Sequence, residues 1–275
     1  MDLDYQDVKC IVQFASFILS IFFNTLLIFL IVTKSPSKMG TYKYLMVYFS
    51  LFAMFFSTVD VILEPFIHSY GTTFVVVVDL SKTIMNRETV TFLIVVLCGC
   101  FGVTIGFFAI HFTFRYFALE RKGKLAYFRG IYLVFWLFIP IIMGIVWGIF
   151  VYNFLGPNVE TSEYIRESIW RSYNLNVDNV TYIGAFYWPF DEYGREYLNV
   201  KCCTGILLMC SMMMISFTVV FYYGIKSYSR IRKLIYEGES SFTRNLQKQL
   251  YKALVVQAII PVLLMYTPVG AYMLP

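Results

Sequence analysis

Two carboxylates and a histidine lie close together where an apolar stretch of the chain ends: Asp60, Glu64 and His68. Asp60 falls within the apolar run that begins at Tyr44, about 24 Å along a helix that rises about 1.5 Å per residue. A carboxylate inside a bilayer is costly, so proteins keep one mainly where it has a function. We therefore take these three residues as candidate ligand-binding residues. The alternative is that Asp60 snorkels or hydrogen-bonds locally, because it lies near the end of the run.

The other ionisable and nucleophilic residues do not form the pattern of an enzyme. The chain has two histidines, His68 and His111, whereas membrane hydroxylases and desaturases bind iron through many. Neither G-x-S-x-G nor H-E-x-x-H occurs. The cysteines lack C-x-x-C spacing and lie in or beside apolar runs, which favours packing over zinc or disulfides; they are Cys10, Cys98, Cys100, Cys202, Cys203 and Cys210. We expect no enzymatic activity, no metal and no cofactor.

The apolar runs predict the elements that must position these residues. Hydrophobic residues make up 59% of the 275-residue chain and charged residues only 14%, against about 25% charged residues in a soluble domain. Runs long enough to cross a bilayer lie at about residues 10–32, 44–63, 89–113, 131–154, 202–225 and 253–273. We predict an all-α, polytopic membrane helical bundle that forms one domain, 1–275, with six transmembrane helices.

The polar segments between the runs alternate in charge, and this alternation predicts the topology. Lysine and arginine accumulate in every second segment, and basic loops stay in the cytoplasm. We therefore expect residues 1–9 and the long loop 155–201 to be extracellular, and the chain end after the sixth run to be extracellular as well. The loop 155–201 contains the sequon Asn179-Val180-Thr181, so Asn179 is a candidate glycosylation site.

Three stretches resemble a known receptor family. They are PFIHSYG at Pro65 to Gly71, FRYFALERKGKLAYFRG at Phe114 to Gly130, and LQKQLYKALVVQAIIPVLLMYTPVG at Leu246 to Gly270. From about Leu26 to the last residue the chain is similar to the nematode seven-transmembrane chemosensory receptors of the str type, or serpentine receptor class r. The resemblance implies a G-protein-coupled olfactory receptor that detects small, including volatile, molecules at the plasma membrane and activates a heterotrimeric G protein. It also implies expression in chemosensory neurons, with the sensory cilia as the expected location.

The resemblance also implies roles for particular residues. Arg115 and Tyr116 occupy the place of the arginine motif with which rhodopsin-like receptors engage a G protein. The alternative is that Arg115 only snorkels to the interface. The basic residues of the third and fifth loops would contact the G protein and acidic lipid head groups; the set comprises Arg121, Lys122, Arg230, Arg232, Lys233 and Lys248. Pro261 lacks a backbone donor and is the candidate hinge of the sixth helix.

Two features depart from this family pattern. The family has a seventh helix and a cytoplasmic tail that these residues do not include, so we expect a truncated isoform, an incomplete gene model or a fragment. The loop 155–201 has no cysteine, so the disulfide that ties this loop to the third helix in rhodopsin-like receptors has no candidate. One alternative is a truncated receptor that does not signal. A channel or transporter is less favoured, because the runs hold few ionisable residues and no internal repeat.

Overall fold

The computed structural model describes residues 5–35, 40–120, 127–128, 130–191, 193–233, 241–261 and 263. These residues form helices α1 (Tyr5–Lys34), α2 (Tyr42–Leu63), α3 (Arg87–Glu120), α4 (Ile131–Leu155), α5 (Val159–Tyr173), α6 (Val200–Lys233) and α7 (Ser241–Pro261), and strands β1 (Phe66–Tyr70), β2 (Thr73–Asp79) and β3 (Val180–Phe186). The predicted helical membrane bundle is confirmed. The three strands and the short polar helix α5 are additions that the sequence analysis did not foresee.

Five of the described helices are long and apolar enough to cross a membrane: α1 from Val8, α2, α3, α4 and α6. Helix α1 exposes most of its aromatic side chains, as expected of a helix that faces lipid; Phe22, for example, is 60% exposed. Of the predicted sixth run, 253–273, residues 253–261 belong to α7. Apart from residue 263, the rest of that run lies outside the described residues.

Helix α3 is longer than the apolar run that predicts it. Its 34 residues span about 51 Å at ~1.5 Å per residue, which exceeds a hydrocarbon core of about 30 Å. The helix therefore continues past the apolar residues to Glu120. Arg115 and Tyr116 consequently lie on a regular helix, so their side chains have defined directions.

The chain forms two compact units, whose boundaries fall within α3, α4 and α6. The first unit comprises Met1–Phe101 and Gly144–Leu208, and the second comprises Gly102–Met143 and Met209–Leu274. The first unit thus contains α1, α2, the three strands and α5. The second contains α7.

A three-stranded antiparallel sheet in the first unit joins two distant parts of the chain. Its order is β1-β2-β3, with His68 opposite Val75 and Val78 opposite Thr181. Strands β1 and β2 form a hairpin whose turn begins at Gly71, with a φ of 54°. A side chain disfavours this backbone conformation, which explains the glycine.

Helix α5 packs on this sheet, and we call α5 and the three strands the sheet cap. Asn158 caps the start of α5 through a hydrogen bond from the Thr161 amide to its side-chain oxygen, at 2.7 Å. The residues between α5 and the sheet are apolar and buried; they are Phe66, Val75, Val77, Ile165, Ile169, Val177, Val180 and Tyr182. The segment 155–201, predicted as one polar connection, thus contributes α5 and β3 to an element that has a hydrophobic core.

Glycines allow α3 and α4 to pack closely in both units. In the first unit, a Cβ at Gly99 would lie 2.9 Å from the Gly144 carbonyl oxygen. In the second, a Cβ at Gly106 would lie 3.0 Å from Cα of Pro140. Such distances leave no room for a side chain, so these glycines are packing positions.

Candidate functional site

Asp60 and Glu64 lie at the end of α2 against the start of α1. Gln13 Nε2 donates to Asp60 Oδ2 at 3.5 Å and to the Pro65 carbonyl oxygen at 3.4 Å. Lys9 Nζ donates to the Glu64 carbonyl oxygen at 2.6 Å and lies 5.3 Å from the centre of the Phe66 ring. Asp60 therefore has a polar partner on the neighbouring helix and a cation close by. We call Lys9, Gln13, Asp60 and Glu64 the α1–α2 polar cluster.

His68 does not join this cluster, because the backbone changes direction between Glu64 and His68. Glu64 adopts a left-handed conformation, with a φ of 44°, and precedes a proline, a combination that ends α2. The chain then continues as β1. His68 accordingly lies between the sheet and α5, whereas Asp60 and Glu64 face α1. The three candidate ligand-binding residues thus form two separate sites within the first unit.

The buried His68 ring is held by α5. Its Nε2 lies 2.9 Å from Ser168 Oγ, and its ring meets Tyr173 edge to face at 5.5 Å between centroids. Ser168 Oγ donates its only proton to the Ile165 carbonyl oxygen, so His68 Nε2 is the donor to Ser168. Burial lowers the pKa of His68, because water no longer solvates its charged form. These contacts are those of a structural, neutral histidine.

An open groove of about 440 Å³ lies on the solvent side of α5. Its wall residues are Glu163, Arg166, Glu167, Trp170, Leu175, Asn176 and Val177. Arg166 bonds Glu163 at 2.7 Å and Asp178 at 3.1 Å, and the bond from Arg166 lowers the pKa of Glu163. Glu163 and Arg166 of this wall are thus paired with each other, and Glu167 is paired with Arg171.

Arg115 is buried in the second unit and bonds helix α7. Only 3% of this residue is exposed, and its Nη2 donates to the Gln247 carbonyl oxygen at 2.8 Å. A guanidinium keeps its charge and offers several N–H donors, so a competing acceptor can replace this carbonyl at Nη2. This arrangement joins α3 to α7.

A tyrosine makes a second connection to α7. Tyr251 donates from its hydroxyl to the Gly224 carbonyl oxygen of α6 at 3.2 Å, and its ring packs against Leu119 and Ile231. We call the bonds Arg115–Gln247 and Tyr251–Gly224 the α7 latch. The sequence analysis identified Arg115 but neither Gln247 nor Tyr251, because nothing in the spacing shows which residues of α7 face α3 and α6.

Tyr116 and the described basic residues belong to the second unit as well. Tyr116 donates to Glu120 Oε1 at 2.7 Å, one turn along α3, and its ring lies 5.3 Å from that of Tyr223. Arg232, Lys233 and Lys248 are exposed, whereas Arg230 is partly buried. Arg121 and Lys122 lie outside the described residues, and Pro261 is described only as the last residue of α7.

The sequon lies where the sheet cap begins its third strand. Asn179 is exposed, whereas the Thr181 residue is 0% exposed. The sequence analysis missed four polar residues that bond other elements in the described part of the chain. They are Lys9, Gln13, Ser168 and Arg87, and the contacts of Arg87 are given below. Lys9 had a visible signal, as the one cation next to an acidic chain start. The other three are ordinary polar residues without a distinctive spacing.

Comparisons with known proteins agree with these features. The model of the family described as "Serpentine type 7TM GPCR chemoreceptor Str" matches residues 9–275. G-protein coupled receptor str-217 of Caenorhabditis elegans is 32% identical over 253 residues, which cover 91% of this chain and 73% of that receptor. Serpentine receptor class r-10 of Caenorhabditis briggsae is 33% identical over 254 residues, which cover 90% of this chain and 71% of the relative. No solved structure matches the chain.

These matches confirm the resemblance and the predicted receptor function. The matched residues include α1 from Lys9, all of α2 to α7, and Arg115 of α3. The family is one of receptors rather than enzymes, and its members work in general with a ligand and a G protein. The chain is therefore a multi-pass membrane protein that belongs to the serpentine type seven-transmembrane G-protein-coupled chemoreceptor family Str, and it functions as a chemosensory receptor.

Proposed function

We propose that this receptor binds a small, apolar, volatile ligand outside the cell and that release of Arg115 from α7 exposes a contact for a heterotrimeric G protein. The observation that carries the proposal is the bond from the buried Arg115 to the Gln247 carbonyl oxygen, at 2.8 Å. A net hydrogen bond from a charged donor contributes about 1.5–3 kcal/mol. Ligand binding that favours an open α7 by a similar amount is sufficient to break it.

The charge distribution supports an intracellular position for the Arg115 region. The exposed Arg232, Lys233 and Lys248, with Arg230, Arg121 and Lys122 of the same predicted basic loops, favour the cytoplasmic side. They would contact acidic lipid head groups and the acidic surface of a G protein. The N-terminus and the sheet cap would then be extracellular, Asn179 would be available for glycosylation, and Pro261 would act as the hinge of the last described helix.

On the ligand side we propose Asp60 and Glu64 as contacts and give His68 an indirect role. Asp60 and Glu64 belong to the α1–α2 polar cluster, where Lys9 balances part of their charge. Such a cluster supplies a few polar groups beside apolar helix surfaces, which is the usual composition of a small-molecule site. His68 would act through the sheet cap, because its ring bonds Ser168. The proposed cellular location is the plasma membrane of sensory cilia.

The test compares Arg115→Ala with Lys34→Ala, which removes an exposed cation from the end of α1. Receptors with an N-terminal epitope are expressed with a heterotrimeric G protein, and G-protein activation is followed by energy transfer during exposure to a panel of small volatile compounds. We expect Arg115→Ala to reach the surface at a normal level and to lose at least about tenfold in signalling, which corresponds to ~1.4 kcal/mol. Lys34→Ala should signal normally. Normal signalling by Arg115→Ala would refute the proposed coupling role.

The orientation has a separate test. Antibodies applied to intact cells should label an epitope at residue 1 and should fail to label an epitope inserted near Lys124. The opposite labelling would refute both the orientation and the proposed coupling site. A ligand-evoked current that persists in cells without G-protein signalling would instead support a channel.

A further inference from the structure

Arg87, the first residue of α3, bonds the backbone at the start of β3. Its Nη1 donates to the Val180 carbonyl oxygen at 2.8 Å, and its Nη2 donates to the Asp178 carbonyl oxygen. β3 is an edge strand of the described sheet, so its outer carbonyls have no neighbouring strand within that sheet to bond. The fork of one guanidinium thus satisfies two carbonyls of a segment that lies about 90 residues further along the chain.

Thr91, one turn further along α3, adds a second bond to the same segment. Its Oγ1 lies 2.7 Å from Thr181 Oγ1 and donates its proton to the Arg87 carbonyl oxygen at 2.8 Å. Thr181 is therefore the donor in the threonine pair. Since Thr181 is completely buried, the loss of this bond would leave a polar group unsatisfied in the sheet cap.

The position of Arg87 is unfavourable unless these bonds compensate for it. A cation in the first turn of a helix faces the positive end of the helix dipole. Asn86 caps this turn by accepting from the Thr89 amide at 2.8 Å, so the helix start does not depend on Arg87. The arginine side chain extends instead to the carbonyls of Asp178 and Val180. The Arg87 side chain therefore stabilises the segment Asp178–Val180 rather than the start of α3.

We propose that Arg87, Thr91 and Thr181 form a polar clamp that fastens the segment Asp178–Thr181 to α3, and that Arg87 thereby positions the sheet cap for ligand recognition. No disulfide connects these two regions, because the loop 155–201 has no cysteine and none of the six cysteines, all of which lie in the described residues, forms a disulfide. The clamp provides the connection without redox chemistry. Its role in recognition rests on the proposed function, whereas its role in holding the cap does not.

The test measures hydrogen exchange of the amides of 178–186 in the full chain, purified into lipid nanodiscs without ligand or G protein. Arg87→Ala should raise their exchange at least about tenfold, with α6 amides unchanged. Arg87→Lys should have an intermediate effect, because an ammonium lacks the fork that reaches both carbonyls. Thr91→Val together with Thr181→Val tests the second bond without removing a charge, should Arg87→Ala fail to fold. Asn179→Gln measures the effect of losing the sequon alone.

A disulfide rescue distinguishes a tether from a general structural defect. In the Arg87→Ala background, Thr91→Cys together with Thr181→Cys should restore slow exchange and ligand response, and dithiothreitol should reverse both. Thr91→Cys alone should rescue neither. Unchanged exchange in Arg87→Ala and in the double valine variant, or loosening of the unmodified cap by dithiothreitol, would overturn the clamp. Slow exchange restored without a ligand response would leave the tether established and refute the role in recognition.

Discussion

The sheet cap and the α7 latch are held together by different kinds of interaction. The sheet cap combines two antiparallel strand pairings with an apolar core whose members Val75, Ile165 and Ile169 are completely buried. At helix α7, Arg115 donates to the Gln247 carbonyl oxygen and Tyr251 donates to the Gly224 carbonyl oxygen, with a small apolar cluster around Tyr251. Burial of many apolar groups is difficult to reverse, whereas one or two hydrogen bonds are easily exchanged. We therefore expect the sheet cap to stay folded and the α7 latch to open more readily.

The largest expected effect comes from breaking the core of the sheet cap. Ile165→Ala removes a completely buried side chain between α5 and the sheet, and such truncations cost about 2–5 kcal/mol. We expect rapid hydrogen exchange throughout β1 to β3 and much less receptor at the cell surface. Val159→Ala is the matched control on the same helix, because Val159 is 79% exposed. Equal behaviour of the two variants would contradict the view that the cap has a core of its own.

A smaller effect is expected when one bond of the latch is removed. Tyr251→Phe deletes the hydroxyl that bonds the Gly224 carbonyl oxygen but keeps the ring against Leu119 and Ile231. The loss of about 0.5–1.5 kcal/mol favours release of α7, so basal G-protein activation without ligand should rise about two- to tenfold. The energy-transfer assay measures this rise at equal surface expression.

Tyr132→Phe serves as the control for the latch, since Tyr132 is 56% exposed on α4 and its change should leave basal activation as it is. If Tyr251→Phe lowered basal activation or left it unchanged, the latch would not restrain signalling, and the contrast with the sheet cap would lose its functional meaning.

The smallest expected effect is the response of the sheet cap to pH. Burial lowers the pKa of His68 below about 6.5, its usual value in an exposed chain. As the pH falls through about 6.5, His68 therefore binds a proton in the open cap but not in the closed cap, so acid favours opening. The effect stops growing once the pH is below the lowered pKa of His68 in the closed cap. Between pH 7.5 and 5.5 we expect the free energy of cap opening to fall by at most about 1.4 kcal/mol. Hydrogen exchange of β1, corrected for its intrinsic rate, measures this change.

His68→Gln is the companion variant, because glutamine can donate to Ser168 but does not titrate. Opening of the sheet cap should depend less on pH in His68→Gln than in the unchanged protein. A pH dependence that is the same in both would assign the effect to other groups.

Several predictions from the sequence are confirmed because they rest on local properties. The helical membrane bundle follows from long apolar runs, and the family follows from three stretches of which one contains Arg115. The strands, by contrast, were not predicted. Phe74 to Val78 is a short apolar run, and periodicity alone does not distinguish such a run from buried helix. Of its two partner strands, β3 lies more than 100 residues away, so only the folded chain brings β2 and β3 together.

The candidate ligand-binding residues show the same limit at the level of single side chains. Asp60, Glu64 and His68 are close in sequence, but the left-handed Glu64 and Pro65 end the helix between them. Asp60 then meets Gln13 of α1, whereas His68 meets Ser168 of α5. Sequence spacing predicts a shared face only while one regular element continues.

By itself, the sequence determined that this chain is a helical membrane protein, because the length of its apolar runs depends on composition and order alone. The resemblance of three stretches to a known family then indicated a receptor. Only the tertiary structure decided which polar groups meet: Arg115 with Gln247, His68 with Ser168, and Arg87 with the carbonyls of Asp178 and Val180. The physical reason is that a hydrogen bond requires its two atoms within about 3 Å. Between residues about 90 to 130 apart in the chain, that distance is set by the packing of whole elements.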